Sequence, residues 1–377
     1  MGGVTAAVAA EVARHGPVPF DRVVERALYD AEGGFYETAG GRAGGRHGDF
    51  LTSPEVGGLF GAVVARALDG WWRAMGSPDP FVVIEAGAGP GTLARTVLAA
   101  APECARALRY VLVERSAAQR RLHPVAVRLE DPALAFAPVD PDQEDPVPGA
   151  PTGPICVSLA ELPRVTGPAV VLANELLDNL PFGLAERRGG VWHEVRVDVV
   201  AGRLAERPVV LAPESAEVLD RLAPAAADGA RVPLQAAART WLRDALEVAG
   251  ARGRVVAIDY ATTTADLASR PPAEWLRTYR GHARGGGALD DLGAQDVTCE
   301  VAVDQLALVR PPASDTAQAD WLRSWGLDDL VDEARAAWSA RAHVADLEAL
   351  KARSRVTEAA ALTDAAGLGA FRVLEWF

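Results

Sequence analysis

From residue 81 onward, the chain alternates short apolar runs with segments in which apolar residues recur at helical spacing. Short apolar runs bounded by turn-forming residues are typical of strands that a parallel sheet buries on both faces. The predicted strands are Phe81–Ala86, Tyr110–Glu114, Ile155–Ser158, Ala169–Ala173 and Arg254–Asp259. Because helical segments separate these runs, the sequence predicts an α/β fold with a doubly wound, mostly parallel sheet.

Other patterns predict additions to this sheet. Alternating runs with glycine-containing turns at 188–190 and 201–202 predict a hairpin insertion at about residues 182–212. Proline and aspartate predict a surface loop at 131–154. Apolar spacing predicts helices at about 4–15, 20–29, 59–72 and 92–101, a helical region at about 314–366 and a last strand at 371–377.

Composition narrows the classes of partner. The 377 residues carry a net charge of −13, and no basic stripe is interleaved with aromatic residues. We therefore expect no nucleic-acid partner. Cys104, Cys156 and Cys299 are far apart, which indicates neither a disulfide framework nor a metal site. Residues 1–13 have no basic leader and are too short to span a bilayer, so we expect a cytoplasmic protein without membrane insertion.

A glycine-rich turn follows the first predicted strand of the sheet. Its glycines alternate in the pattern Gly-x-Gly-x-Gly, and Glu114 ends the next strand along the chain. This spacing, with an acidic residue on each strand, suits S-adenosylmethionine better than a dinucleotide: one carboxylate for the methionine ammonium and one for the ribose hydroxyls. The predicted cofactor contacts in this region are Glu85, Gly87, Gly89, Gly91, Thr92 and Glu114.

Polar residues also follow the fourth predicted strand of the sheet. Asn174, Glu175 and Asp178 stand at its carboxyl end, the edge of an open α/β sheet that faces ligands. We interpret them as candidate catalytic residues, with Asn174 also a cofactor contact, because a carboxylate can orient a nucleophile and accept its proton. The alternative is that Asn174 caps a helix beginning at Glu175 while Asp178 pairs with a surface arginine.

Two weaker candidates lie elsewhere in the chain. Thr52, Ser53 and Glu55 form a helix-capping signature before the sheet and are also candidate cofactor contacts. His282 lies in a predicted loop that includes Tyr279, where it is a candidate proton shuttle or simply an exposed side chain.

Several motifs resemble one family in the same order along the chain. They include Gly48-Asp-Phe-Leu-Thr-Ser-Pro-Glu55, Glu85-Ala-Gly-Ala-Gly-Pro-Gly-Thr-Leu93, Asn174-Glu-Leu-Leu-Asp-Asn-Leu-Pro181, Ile258-Asp-Tyr260, Leu276-Arg-Thr-Tyr-Arg280 and Asp296-Val-Thr298. The sequence is similar to the class I methyltransferases related to the mitochondrial complex I assembly-factor arginine methyltransferase and its bacterial relatives.

The resemblance implies S-adenosylmethionine as cofactor and a protein arginine as methyl acceptor, on a respiratory complex I subunit in the mitochondrial members. It also implies a helical N-terminal lid with a cofactor-contacting loop at residues 1–75 and a methyltransferase domain at 76–377. The glycine loop has Pro90 where the family usually has arginine. Two alternatives to a protein acceptor stay open: methylation of oxygen or nitrogen on a small molecule, and an assembly chaperone that binds the cofactor without turnover. A nicotinamide oxidoreductase is disfavoured by Glu85 and the glycine spacing.

Overall fold

The computed structural model describes residues 3–38, 52–136, 153–280, 283–343 and 346–377, and for Glu348 the backbone alone. The chain groups into two compact units. The hairpin unit contains the described parts of residues 1–50, 175–244 and 259–312, and the sheet unit contains those of residues 51–174, 245–258 and 313–377. This grouping differs from the predicted boundary at residue 75, and the lid role of residues 1–75 stays a prediction.

Helices of the described residues occur in both units. In chain order they are α1 (Gly3–His15), α2 (Phe20–Tyr29), α3 (Ser53–Val56), α4 (Gly58–Ala74), α5 (Thr92–Ala99), α6 (Ala117–Arg120), α7 (His123–Ala126), α8 (Pro132–Phe136), α9 (Pro213–Leu222), α10 (Ala236–Ala249), α11 (Thr264–Ser269), α12 (Pro272–Trp275), α13 (Val303–Leu306), α14 (Gln318–Ser324), α15 (Leu327–Arg341) and α16 (Leu347–Leu362). Short 3-10 helices cover Phe35–Glu37, Glu103–Arg106, Leu177–Asn179 and Leu368–Ala370.

Strands likewise occur in both units. In chain order they are β1 (Val18–Pro19), β2 (Phe81–Ala86), β3 (Leu108–Val113), β4 (Ile155–Leu159), β5 (Ala169–Asn174), β6 (Gly183–Arg188), β7 (Val191–Val200), β8 (Arg203–Val210), β9 (Arg231–Leu234), β10 (Arg254–Asp259), β11 (Ala261–Thr262), β12 (Leu276–Arg280), β13 (Ala283–Arg284), β14 (Asp296–Cys299), β15 (Val301–Ala302), β16 (Ser314–Ala317) and β17 (Arg372–Trp376).

A seven-stranded sheet organises the sheet unit, with strand order β16-β17-β10-β5-β2-β3-β4. The pairs β10–β5, β5–β2, β2–β3 and β3–β4 are parallel. Every residue of β2 is buried, as the continuous apolar run predicts. The predicted parallel core is therefore confirmed.

Helix α4 approaches α5 closely because Gly61 has no side chain, and a Cβ there would collide with Thr96.

One edge of this sheet corrects the sequence interpretation. Residues 314–317 were expected to begin the C-terminal helical region, but they form β16, which pairs antiparallel with β17. The backbone of β17 offers a hydrogen-bonding edge, and pairing with it overrides the local helical pattern. The helical region begins instead at Gln318, with α14.

The predicted hairpin insertion is confirmed in the hairpin unit. Strands β6, β7 and β8 are antiparallel, and β1 and β9 complete a five-stranded sheet. Its turns use positive φ angles at Gly189 (56°), Gly190 (76°), Ala201 (50°) and Gly202 (77°). Helices α1 and α2, which agree with the predicted ones, bury their apolar residues in a core that also contains Phe182 and Trp275.

Two predicted loops are partly regular structure. Tyr279 lies in β12, which pairs antiparallel with β14, so its placement in a loop was wrong. The pairing partner is about twenty residues further along the chain, and local sequence carries no signal for it. In the loop predicted at 131–154, residues 132–136 form α8, and 137–152 lie outside the described residues. Across the described ranges, none of the helices has both the length and the hydropathy of a membrane span.

Candidate cofactor and acceptor sites

The glycine turn joins β2 to α5 in the sheet unit. Gly87, Gly89 and Gly91 have φ angles of 70°, 52° and 85°, all in the left-handed region that favours glycine. The backbone N–H of Ala88 donates to the carbonyl of Val113 at 3.0 Å, which anchors the turn to the end of β3. Thr92 is the first residue of α5, so the turn leads directly into a helix N-terminus. This is the backbone geometry of a nucleotide-binding turn.

Glu114 lies beside this turn and is 9% exposed. Its Oε2 accepts a hydrogen bond from the Gly89 N–H at 2.9 Å, and its Oε1 accepts one from the Ser116 N–H at 2.7 Å. The two bonds fix the direction of the carboxylate. Because each carboxylate oxygen can accept more than one hydrogen bond, this group fits the predicted role of binding ribose hydroxyls.

Glu85 is more deeply placed, at 5% exposed, near the end of β2. Its Oε2 accepts a hydrogen bond from the Tyr110 hydroxyl at 2.7 Å. Burial raises the pKa of Glu85 to about 8, although hydrogen bonds from Tyr110 and the Ala94 backbone lower it. Glu85 therefore links β2, β3 and α5, and a cation beside it would favour its ionised form. Its predicted contact with the methionine ammonium stays a prediction.

The turn and its two acidic residues suit S-adenosylmethionine in their chemistry. Gly91, the N-cap residue of α5, has no side chain, so the one side-chain contact described at this helix N-terminus is the bond from the Ala94 N–H to Glu85. The positive φ angles permit close approach of a ligand to the backbone. One fixed carboxylate can accept hydroxyl groups, and one buried carboxyl gains from a nearby ammonium.

Thr52, Ser53 and Glu55 begin the short helix α3. Thr52 and Glu55 form a reciprocal capping box, in which the Thr52 N–H donates to Glu55 Oε2 at 3.2 Å. Ser53 is fully buried and its hydroxyl donates to Gln318 Oε1 at 3.1 Å. These contacts favour the capping interpretation, and contact with the cofactor stays a prediction. Residues 48–51 of the same motif lie outside the described residues.

The second predicted site lies in the hairpin unit. Asp178 is 5% exposed, and its Oδ2 accepts a hydrogen bond from the Thr298 hydroxyl at 2.6 Å. Asn179 donates its side-chain N–H to Asp178 Oδ1 at 3.1 Å. Asp259 is 2% exposed and accepts backbone hydrogen bonds from Leu177 at 2.8 Å and Asp178 at 3.2 Å. We call Glu175, Asp178 and Asp259 the carboxylate cluster.

Ionising the buried members of the carboxylate cluster costs free energy. Burial raises the pKa of Asp178 to about 6, against the effects of Thr298 and Arg277, which lower it. Burial also raises the pKa of Asp259 well above its ordinary value, and the nearby charges of Asp178 and Glu175 raise it further. Neighbouring carboxylates in a water-poor site disfavour each other's ionised form. A cation bound among them would reverse that effect.

The backbone at the end of β5 shows that the helix-capping alternative for Asn174 and Asp178 was wrong. The chain passes from Asn174, the last residue of β5, directly into Glu175, which has a positive φ of 53°. A 3-10 helix then covers Leu177–Asn179, so Asn174 does not cap a helix beginning at Glu175. Asp178 is buried against Thr298 and does not pair with a surface arginine. His282 lies outside the described residues.

The structure adds residues that sequence interpretation missed. Asp259 ends a predicted strand, and Thr298 belongs to the Asp-x-Thr motif. Each was therefore noticeable in the sequence, but nothing in the sequence indicated that either contacts Asp178. His123 had none: it follows β3 in an ordinary stretch of sequence, yet it is fully buried against the glycine turn.

A comparison with protein families identifies the chain. A family model described as "putative S-adenosyl-L-methionine-dependent methyltransferase" matches residues 63–318. The chain belongs to this family. Its α/β fold is the one that the sequence predicted, and the description of the family names the same activity class and the same cofactor as the sequence prediction.

Curated relatives of this methyltransferase carry more specific names. It is 30% identical over 208 residues to the Drosophila melanogaster protein arginine methyltransferase NDUFAF7 homolog, mitochondrial, a match covering 53% of this chain and 46% of the relative. It is 28% identical over 182 residues to the human protein arginine methyltransferase NDUFAF7, mitochondrial, covering 45% and 40% respectively. The methyltransferase thus matches less than half the length of these relatives.

Solved structures extend the similarity to nearly the whole chain. A crystal structure from Burkholderia thailandensis, bound to S-adenosyl-homocysteine, shares 26% identity with this methyltransferase at a TM-score of 0.78. The match covers 99% of this chain and 91% of that one. A native crystal structure from the same organism matches at 26% identity and a TM-score of 0.76, over 99% and 90% of the two chains.

Proposed function

We propose that this methyltransferase transfers a methyl group to an arginine side chain of a protein. The observation that carries the proposal is the carboxylate cluster, in which Asp178 and Asp259 are buried and Glu175 is partly buried. Burial raises the pKa of Asp178 and Asp259, and the neighbouring carboxylates raise that of Asp259 further. The names of the curated relatives support the same acceptor. Together they favour a cationic acceptor over a neutral one.

A guanidinium suits this cluster because of its shape as well as its charge. It is planar and offers several N–H donors in a fixed fork, which carboxylates accept in paired hydrogen bonds. The Thr298 hydroxyl and the Asn179 amide hold the Asp178 carboxylate from two sides. A carboxylate held in this way orients its partner at little further entropic cost.

The same carboxylates also suit the proton balance of the reaction. When bound, S-adenosylmethionine supplies an electrophilic methyl group. The attacking guanidinium nitrogen must lose a proton, and Asp178, whose pKa burial raises to about 6, holds a proton more readily than an ordinary aspartate. We assign Asp178 the role of proton acceptor and Glu175 the role of orienting the guanidinium.

The test is methyl transfer from labelled S-adenosylmethionine into a cell extract and into arginine-containing peptides. The expected result is label in protein, recovered as methylarginine after hydrolysis. Label found only in metabolites would refute the protein acceptor and favour the small-molecule hypothesis, and cofactor binding without label in any fraction would favour the chaperone. Asp178→Asn should transfer the methyl group much more slowly, and Glu214→Gln, at an exposed position of the same unit, is the matched control.

Partner and location belong to the same proposal. The curated relatives are named as mitochondrial proteins, whereas we propose that this protein acts in the cytoplasm, with a respiratory complex I subunit as the candidate protein substrate. Fractionation of cells that express the full chain tests the location. The substrate is tested by comparing the transfer of label to purified complex I with the transfer of label to a protein extract from which complex I has been removed.

A further inference from the structure

His123 connects the glycine turn to the neighbouring strand. It is the first residue of α7 and is fully buried. Its Nε2 lies 2.8 Å from the carbonyl oxygen of Gly89, and its Nδ1 lies 2.8 Å from the hydroxyl of Ser158 in β4. Both ring nitrogens therefore form hydrogen bonds, one with the glycine turn and one with the sheet.

These two partners determine the tautomer of the ring. A backbone carbonyl can only accept a hydrogen bond, so Nε2 must carry the hydrogen that it donates to Gly89. Nδ1 of the neutral ring then accepts the hydrogen of the Ser158 hydroxyl. Burial and the charge of Arg120 lower the pKa of His123, although its bond to Gly89 raises it, and the neutral ring is thereby favoured.

Gly89 is consequently held on both of its backbone polar groups. Its N–H donates to Glu114 and its carbonyl accepts from His123. Helix α7 also forms a wall beside the turn, since a Cβ on Gly91 would lie 3.1 Å from the Cβ of Ala126. The bond to Glu114 thus fixes the peptide plane before Gly89, and the bond to His123 fixes the peptide plane after it.

We propose that His123, held at its other ring nitrogen by the Ser158 hydroxyl, is a positioning residue that keeps Gly89 in the orientation required for binding S-adenosylmethionine and its product. It touches the turn and not the reacting atoms. Its loss should therefore weaken cofactor binding more than it slows transfer at saturating cofactor.

Three variants separate positioning from simple packing. His123→Leu keeps an apolar side chain of similar bulk but leaves the Gly89 carbonyl without its donor, and should weaken S-adenosyl-homocysteine binding by roughly 10- to 100-fold. His123→Gln offers an N–H at a similar distance from the backbone and should recover much of that loss. Ser158→Ala removes the hydrogen bond that holds the ring at Nδ1 and should weaken binding by roughly 2- to 10-fold.

Calorimetry with S-adenosyl-homocysteine and thermal unfolding on the same samples provide the measurement. The matched control is His193→Leu, because the Nδ1 of His193 bonds the carbonyl of Val191 at 3.0 Å in the hairpin unit. Weaker binding in His123→Leu, with recovery in His123→Gln and normal binding in the control, is the expected pattern. Equal affinities in folded His123→Leu and the unmodified protein, or no recovery with glutamine, would overturn the proposal.

Nuclear magnetic resonance of the unmodified protein gives a test that does not depend on how the variants fold. Histidine side-chain spectra with nitrogen-15 labelling distinguish which ring nitrogen carries hydrogen. We expect His123 to show a protonated Nε2 and a bare Nδ1. In Ser158→Ala the Nδ1 resonance should shift, because its hydrogen bond is lost, while Nε2 stays protonated. A protonated Nδ1 with a bare Nε2 would contradict the assignment.

Discussion

Replacing Glu85 by glutamine should change how the stability of the protein depends on pH. Burial raises the pKa of Glu85 from 4.5 to about 8 in the folded protein without cofactor. The folded state therefore holds a proton that the unfolded chain releases over that interval. For a group whose pKa is raised on folding, the stabilisation is complete below the unfolded pKa and is lost as the pH rises through the folded pKa.

The magnitude follows from the two pKa values. Each pH unit between them changes the free energy of unfolding by about 1.4 kcal/mol, so the interval from 4.5 to about 8 corresponds to about 5 kcal/mol. Glutamine does not titrate, and it weakens the hydrogen bonds from Tyr110 and Ala94 by about 1 kcal/mol. The variant should be slightly less stable than the unmodified protein at low pH and more stable by several kcal/mol above about pH 8.

Urea unfolding followed by circular dichroism, from about pH 5 to about pH 8.5, measures this difference. Other groups titrate in the same range, so the informative quantity is the difference in free energy of unfolding between the two proteins at each pH. Glu161→Gln, at an exposed position of the sheet unit, controls for the loss of one carboxylate. If the difference between Glu85→Gln and the unmodified protein does not vary with pH, the inference about Glu85 is wrong.

Three further predictions concern the turn and the other acidic residues. Gly89→Val should abolish S-adenosyl-homocysteine binding in a folded protein, because a β-branched residue disfavours a φ of 52°; unchanged affinity by calorimetry would make the turn purely structural. Glu55→Gln should change stability only slightly, with normal cofactor affinity, since the glutamine carbonyl oxygen can still accept the Thr52 N–H of the capping box; weaker affinity in an equally stable variant would support the predicted cofactor contact instead. Glu175→Gln and Asp178→Asn should slow single-turnover methyl transfer by roughly 30- to 1,000-fold with little change in cofactor affinity, and near-normal rates in both would sink the carboxylate mechanism.

The sequence predicted those parts of the fold that local pattern determines. The strands of the parallel core are buried on both faces, and their apolar runs gave their positions to within two residues. The glycine turns of the hairpin insertion were equally visible, because left-handed backbone is rarely adopted by other residues. Strands β12 and β16 were missed because their structure comes from pairing with a distant strand and not from their own pattern.

The candidate sites divide in the same way. Glycines 87, 89 and 91 are close in sequence, and positive φ angles are typical of glycine, so the geometry of this turn could be predicted. The contact between Asp178 and Thr298 joins residues 120 positions apart, and that between His123 and Gly89 joins residues 34 apart. No helical or strand periodicity relates residues at these sequence separations, so the two contacts could be found only in the folded chain.

Glu85 in one unit and Asp178 in the other share a physical property that connects structure to proposed chemistry. Burial raises the pKa of both, to about 8 and about 6, so the ionised form of each is less favourable in the folded protein than in the unfolded chain. A bound cation would favour ionisation of each and recover part of the stability that burial costs. We predict that the methionine ammonium of the cofactor is such a cation for Glu85, and we propose a guanidinium for Asp178. Glu175 adds backbone cost, because its φ of 53° would suit glycine better than glutamate. A carboxylate kept at a strained position, next to others that already disfavour it, is therefore more readily explained by a ligand than by the stability of the empty fold.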